Sequence, residues 1–561
     1  IRDSSTSRGL GDVYKRQVLL ILLAITLWIN RVEVVVWAIP KIIKFTQPVA
    51  EYKEVVWPEG PSDPELPLKD RKPNIILILA DDLGFNDVSL YNGGAGDGTL
   101  MTPNIDRIGK EGVRFNNGYA ASASCSPSRA SLMTGRYATR FGYEFTPFYS
   151  IGRTIFKWMD EIENPLIRTQ FAEVSEENFI GDEGYAGMPS SEITIAEVLK
   201  QQGYYNAHIG KWHLGDTKGQ LPTDQGFDDS LQLLSPLYLP KDDPNVINAY
   251  TDAGVDRMIW AASQFSVRFN GGESYEPGGY ITDFYTDEAL KVIEKNKNRP
   301  FFLYLGHFAP HNPLQALKED YDHFHHLSKE DDHGLRVYSA MIRSLDRSVG
   351  KVLDALDEYN LSENTLIIFS SDNGGANYIH LSDINKPYRG WKLNHFEGGL
   401  HIPFMAKWPT EIKPGTIFDH PIHQNDIFST FAAAADASIP NDRIIDGKNI
   451  IPFIKENKPP HETLFWRSGR LQTVLHDQWK MIVDKNQNKK WLFDLSNDPT
   501  ERNNLVDQMS EKVELLEKLL EEHNSQQVEP NFMSVVATPV RLDKHDGEEW
   551  TEDDEYTFWD N

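Results

Sequence analysis

The sequence predicts an α/β fold with a smaller α+β subdomain on its C-terminal side. Apolar runs alternate with amphipathic helical stretches from residue 73 onward, as in a sheet flanked by helices. Four of those runs end abruptly in charged or imidazole side chains. The smaller unit rests on short alternating strands over His461–Val483 and an amphipathic stretch over Asn504–His523. In that stretch Met509, Val513, Leu516 and Leu520 share one face, which reads as core packing. At 40% apolar and 11% aromatic residues, the 561-residue chain can bury large cores. Its formal charge of -27, from 56 basic and 83 acidic residues, argues against a nucleic-acid partner. The single cysteine, Cys125, excludes a disulfide framework and a thiolate metal site.

Taken in order, residues 1–17 are polar and patternless and read as a non-native or unstructured leader. Residues 18–40 read as a signal peptide or a membrane anchor. Val18–Ile29 (VLLILLAITLWI) has Thr26 as its one polar residue and follows Lys15 and Arg16. It is short of the roughly 20 residues a full span needs but fits a signal core. Continuing to Pro40 reaches spanning length and takes in Arg31 and Glu33. Either reading implies export, to a periplasmic, extracellular or membrane-anchored location. Residues 41–72, rich in Pro and charge, read as a linker.

The catalytic domain is expected over 73–455. Asn74–Ala80 is a continuous apolar run, as a strand buried on both faces should be, and it ends in Asp81-Asp82-Leu83-Gly84. Thr365–Ser370 ends in Ser371-Asp372-Asn373-Gly374-Gly375, and Phe301–Leu305 leads to His307 and His311. Tyr204–Ile209 leads to Gly210-Lys211-Trp212-His213. Ligands of open α/β sheets bind beyond the carboxyl ends of strands. Each ending alone is an ordinary turn or helix cap. Together they are complementary: Asp81, Asp82, Asp372 and Asn373 offer oxygens to a hard cation such as Ca²⁺ or Mg²⁺. Lys211, His213 and His311 suit an anionic substrate.

Within Ala121–Arg136 (ASASCSPSRASLMTGR), Pro127 suits the first turn of a helix and Gly135 its end. Cys125 then lies at the positive end of the helix dipole, with Arg129 about one turn on. That placement predicts a depressed thiol pKa. Residues 456–528 form the C-terminal subdomain. Residues 529–561 are expected as a solvated acidic tail, with nine acidic and two basic side chains in 541–561.

Cys125-Ser126-Pro127-Ser128-Arg129 with Leu132-Met133-Thr134-Gly135-Arg136 resembles the signature of the formylglycine-dependent type I sulfatases. Asp81-Asp82-Leu83-Gly84, Thr102-Pro103-Asn104-Ile105-Asp106, Gly210–Gly215, Ser371–Gly374, Arg389-Gly390-Trp391-Lys392 and Leu492–Glu501 match in order. Pro300–Gln315 is similar to the arylsulfatase B, or N-acetylgalactosamine-4-sulfatase, group. His401 stands where that pattern expects Arg, which bears on a packing contact or subsite.

The resemblance implies an alkaline-phosphatase-like large mixed sheet flanked by helices and a C-terminal antiparallel sheet with a helix. It implies that a maturation enzyme oxidises Cys125 to Cα-formylglycine, whose hydrated form attacks a sulfate ester and passes through a covalent sulfo-enzyme intermediate. Asp81, Asp82, Asp372, Asn373 and modified Cys125 would hold calcium. Arg129 and Lys211 would orient the formylglycine, with Lys392 and His311 on the substrate. His311 would protonate the leaving alcohol and His213 would assist release of sulfate. The substrate class is a sulfated carbohydrate or an aryl sulfate. A phosphonate monoester or phosphodiester hydrolase, and a non-catalytic sulfated-glycan-binding protein, are the alternatives. Residues 143–190 and 236–280 read either as pocket walls or as surface loops.

Overall fold

In the computed structural model, residues 5–92, 94–147, 150–163, 165–173, 187–327 and 333–561 are described. The large domain is built on nine strands: β1 (Asn74–Ala80), β2 (Val113–Phe115), β3 (Tyr205–Gly210), β4 (Asp229–Pro236), β5 (Phe265–Phe269), β6 (Phe301–Gly306), β7 (Thr365–Ser371), β8 (Phe404–Lys407) and β9 (Thr416–Phe418). Their spatial order is β9-β2-β8-β7-β1-β6-β3-β4-β5. The four runs singled out in the sequence are the adjacent strands β7, β1, β6 and β3, all parallel. β8 and β5 run antiparallel to their neighbours, so the sheet is mixed.

The apolar runs are continuous because both faces are covered. Ile76, Ile78 and Ala80 of β1 join one core, packed beneath the helices Ile281–Asn296 and His333–Glu358. Ile75, Leu77 and Leu79 point the other way, into a second core with Leu132, Met133, Phe428 and Phe431. Register does the rest. Ala80 pairs with Ser371, Leu79 with Gly306, and Gly306 with Gly210, so all four strands end at one level. Gly210 has φ +108, and a Cβ there would stand 1.9 Å from the Gly306 carbonyl. That close approach lets the Lys211 amide bond Gly306 O at 2.8 Å.

The smaller subdomain is an antiparallel meander of β10 (Thr463–Ser468), β11 (Leu471–His476), β12 (Trp479–Asp484) and β13 (Lys489–Asp494). The helix Ser510–Asn524 lies on it, burying Leu516 and Leu520 against Val474, Met481 and Leu492. The expected stripe holds, with Met509 and Val513 at its margin.

Three expectations for the ends are corrected. Residues 5–17 are not unstructured: one helix runs from Ser5 to Ile29 through the apolar stretch, while residues 1–4 lie outside the described residues. A second helix, Arg31–Thr46, continues past residue 40 and docks through Val32 and Ile39 on Ile155, Met159 and Ala261. The 41–72 segment is no free linker, because Val55 and Trp57 are buried and Trp57 Nε1 donates to Glu288 at 2.7 Å. The acidic tail is not a solvated extension. It folds back as a hairpin of β14 (Val536–Arg541) and β15 (Tyr556–Asp560), extended by Gln170–Phe171. Val540, Leu542 and Phe558 are buried, and its acids find Arg389, Lys489 and Arg470.

If the 41–72 segment is a docked part of the fold, Trp57→Ala removes a fully packed indole. Unfolding in denaturant should show about 3–5 kcal/mol lost. A stability unchanged from wild type would mean the segment is a tether after all.

Candidate active site

The common level of the four parallel strands puts their C-terminal loops in one place, and the helix Cys125–Thr134 aims its N-terminus into it. Gly135 ends that helix at φ +69, in the left-handed conformation expected. The Cys125 thiol lies 3.6 Å from Asp81 Oδ1 and 3.6 Å from Asp82 Oδ1. Asp82 itself adopts φ +59, which turns its carboxylate back over the site.

Three carboxylates and three cations share this buried volume. Arg129, fully buried, places Nε and Nη2 each 2.9 Å from Asp372 Oδ2, with Nη2 3.5 Å from Asp81 Oδ2. Its Nη1 bonds Lys211 O and Tyr304 Oη. Lys211 Nζ is 2.6 Å from Asp81 Oδ2, and Lys392 Nζ is 2.8 Å from the Asp82 carboxylate. Burial opposes ionisation of Asp82, but the charges of Lys392 and Lys211 outweigh it and hold the carboxyl well below its usual range. For Asp81, burial and then the charge of Asp372 win, and its carboxyl is pushed up to about 7. The strain of packing these anions together is what a bound cation would relieve.

His311 and His213 complete the ring. His311 Nδ1 lies 2.6 Å from Asn312 O, which leaves Nε2 facing Asp82 Oδ2 and Lys392 Nζ, both at 3.4 Å. Burial brings its pKa down to about 3, so the imidazole is neutral. His213, at φ +63, is kept well below its usual pKa by burial and then by Lys211 and Arg129. Its buried Nδ1 has no protein partner.

The residues fit a hard cation. One ligand atom from each of Asp81, Asp82, Cys125 and His311 lies within 4.8 Å of the others. Asp372 stands beside them, with Oδ1 accepting from the Asp82 amide at 3.1 Å. Asn373 offers its NH2 group to Asp82 Oδ1 at 2.8 Å, while its buried Oδ1 has no partner. Turning that amide over presents the orphaned oxygen to the same spot.

One expectation fails here. The thiol of Cys125 is not acidified by its helix and Arg129. Burial and then the charge of Asp372 push it up, so it stays protonated and is a poor nucleophile as a thiol.

Two participants, Tyr378 and Gln424, carry no signal in the sequence, while a third, Ser128, lies inside the Cys125 motif. Tyr378 Oη donates to Asp82 Oδ2 at 3.1 Å and lies 3.2 Å from Lys392 Nζ. Ser128 Oγ donates to Asp372 O, and Gln424 links Ser128 to Ser371 O. Tyr378 and Gln424 follow no motif spacing; they are brought in by loops crossing the strand ends. Of the expected walls, 236–280 braces the His311 loop: Tyr238 Oη donates to His311 O, and Asp256 accepts from Asn312. Within 143–190, residues 148–149, 164 and 174–186 lie outside the described residues. His401 is a packing contact, buried between Glu397 Oε2 and Asn116 O at 2.7 Å each.

A family model described as Sulfatase matches residues 73–437, and one described as N-sulphoglucosamine sulphohydrolase, C-terminal, matches 391–529. Steryl-sulfatase of Homo sapiens is 32% identical over 464 residues, covering 70% of this chain and 72% of that protein. N-acetylgalactosamine-6-sulfatase of Homo sapiens is 32% identical over 403 residues, covering 71% and 68%. The crystal structure of Ps i-CgsB is similar at a TM-score of 0.67 and 32% identity, covering 82% of this chain and 95% of that one. Ps i-CgsB in complex with k-i-k-neocarrahexaose gives 0.66 and 31%, with the same coverage.

Titrating chelator-treated protein with Ca²⁺ should raise its thermal midpoint, a site filled to 100 times its Kd adding about 2.7 kcal/mol. The paired substitution Asp82→Asn and Asp372→Asn should abolish that shift. An equal shift in wild type and variant would place the cation elsewhere.

Proposed function

The chain belongs to the sulfatase family, and from that premise we propose that it releases inorganic sulfate from a sulfated carbohydrate, using a modified Cys125 and bound Ca²⁺. The observation that carries this reading is the position of Cys125. It is a lone cysteine at a helix N-terminus, 3.6 Å from two carboxylates and ringed by Arg129, Lys211 and Lys392. Calcium held by Asp81, Asp82, Asp372, Asn373 and residue 125 supplies a Lewis acid for the sulfate oxygens. Conversion of Cys125 to Cα-formylglycine by a maturation enzyme supplies an oxygen nucleophile that a buried thiol lacks.

The chain's own residues bind, orient and move protons. Arg129 fixes Asp372 and Asp81 relative to residue 125. Lys211 and Lys392 give the site the positive charge that an anionic ester needs within a protein of net charge -27. His311, with Nε2 3.4 Å from Lys392 Nζ, stands where the leaving alcohol would take up its proton. His213 stands neutral on the Lys211 side and assists release of sulfate. A carbohydrate is favoured by the relative named for N-acetylgalactosamine and the Ps i-CgsB complex with a hexaose.

We also propose export. Leu19, Leu20, Leu22 and Leu23 are exposed on the first helix. Among the described residues no single helix is long and apolar enough to cross a membrane, although the pair Val13–Ile29 and Arg31–Thr46, bent by 81°, passes that test together. Fractionation should place the protein outside the cytoplasm or on membranes, and removal of residues 1–40 should leave it in the cytoplasm. The same distribution for both forms would reject export through this segment.

The activity is tested by release of sulfate and phosphate from matched aryl esters. Faster sulfate release, reduced to background by Cys125→Ala, is expected. Faster turnover of the phosphodiester would overturn the reading in favour of a phosphoryl-ester hydrolase.

A further inference from the structure

The matched family models stop at residue 529, yet the terminal hairpin beyond them reaches three segments that line the site. The first contact is on Arg389, three residues before Lys392. Arg389 Nε lies 3.0 Å from both oxygens of Asp543, and its Nη2 lies 2.7 Å from Glu555 Oε2. The adjacent Gly390 amide donates to Leu542 O at 3.1 Å. From there the chain turns through Gly390, at φ +91, and Lys392 bonds Gly375 O through its amide and Asp82 through its ammonium.

The second contact is on Asn377, the residue before Tyr378. Asn377 Nδ2 donates to Asp546 Oδ1 at 2.7 Å, and the Asp546 amide returns to Asn377 O. The third is on the other side of the site. Asn561 Oδ1 accepts from the Thr146 amide at 2.8 Å, and Thr146 Oγ1 lies 2.7 Å from Oγ of Ser124, the cap of the Cys125 helix.

We propose that this acidic hairpin is a working part of the active site: through Asp543 and Glu555 it positions Lys392, and through Asp546 it positions Tyr378, the two groups that converge on Asp82. Asp543, Asp546 and Glu555 are positioning residues, since each acts through a neighbour and none touches the reacting centre. A pair of hydrogen-bonded carboxylates around one guanidinium fixes direction as well as distance. Misplacing a reacting group by about 1 Å can cost up to about 100-fold in rate. The acids of the tail are thus matched to the basic and amide groups of the catalytic loops, beyond any role in solubility.

The inference rests on the sulfatase reading of the site. Wild-type sulfate release tests that reading, and the ratio of variant to wild type, on whichever ester turns over, tests the inference. In Asp543→Asn with Glu555→Gln, shape is kept and charge is lost. We expect kcat to fall by at least about tenfold with KM within about twofold, while the thermal midpoint stays close to wild type. Asp543→Glu should recover part of kcat, and the exposed pair Glu549→Gln with Glu552→Gln should match wild type. Should the double variant not fold, Asp543→Asn alone carries the same comparison. A folded variant with kcat within about twofold of wild type, or a loss shared equally by the exposed-pair control, would overturn the proposal.

Discussion

Three carboxylates, Asp81, Asp82 and Asp372, are buried side by side at the end of the central sheet, and the rest of the structure is arranged around that fact. Uncompensated, such a cluster could not stay ionised in a protein interior. Each acid is answered by a cation from a different segment: Asp372 by Arg129 of the Cys125 helix, Asp81 by Lys211 after β3, and Asp82 by Lys392 from a loop beyond β7. Because the set is closed, removing one member leaves a buried charge exposed to its neighbours, a loss of about 3–5 kcal/mol.

Parallel pairing makes this convergence possible. Four adjacent strands in register deliver four loops to one level, and a fifth segment, the Cys125 helix, adds backbone N–H groups and its dipole from the side. The smaller subdomain continues the support. Lys480 on β12 bonds Glu397 and Glu501 at 2.7 and 2.8 Å, and the Glu397 amide bonds Glu501. That buried triad fixes the Glu397–Leu400 turn, whose Gly399 carbonyl accepts from Gly374 beside Asn373. The C-terminal meander is thereby tied to the loop that carries Asp372 and Asn373 through a single turn of chain.

Much of the site was legible in the sequence because its residues sit where local patterns end. An apolar run followed by Asp81-Asp82, or a capped helix opening at Cys125, marks a position without reference to anything distant. Tyr378, Gln424 and Tyr304 were not legible, since their roles depend on which loops cross which strand ends. The same holds for Trp57 and for the acids of the terminal hairpin. Composition alone made the first segment a linker and the second a solvated tail, whereas their partners Glu288, Arg389 and Lys489 lie far away in the chain. The thiol of Cys125 failed for a related reason. Helix position and a nearby arginine favour the thiolate, but desolvation and Asp372, visible only once the fold is built, outweigh them.

We propose that this buried cluster is assembled around a modified cysteine. The most direct test is the mass of the tryptic peptide Phe115–Arg129 from protein made together with a formylglycine-generating enzyme. A mass matching conversion of the Cys125 thiol to an aldehyde, or its hydrate, is the predicted result. An intact thiol, with a control sulfatase fully converted in the same cells, would rule out a modified nucleophile and leave a binding protein in its place.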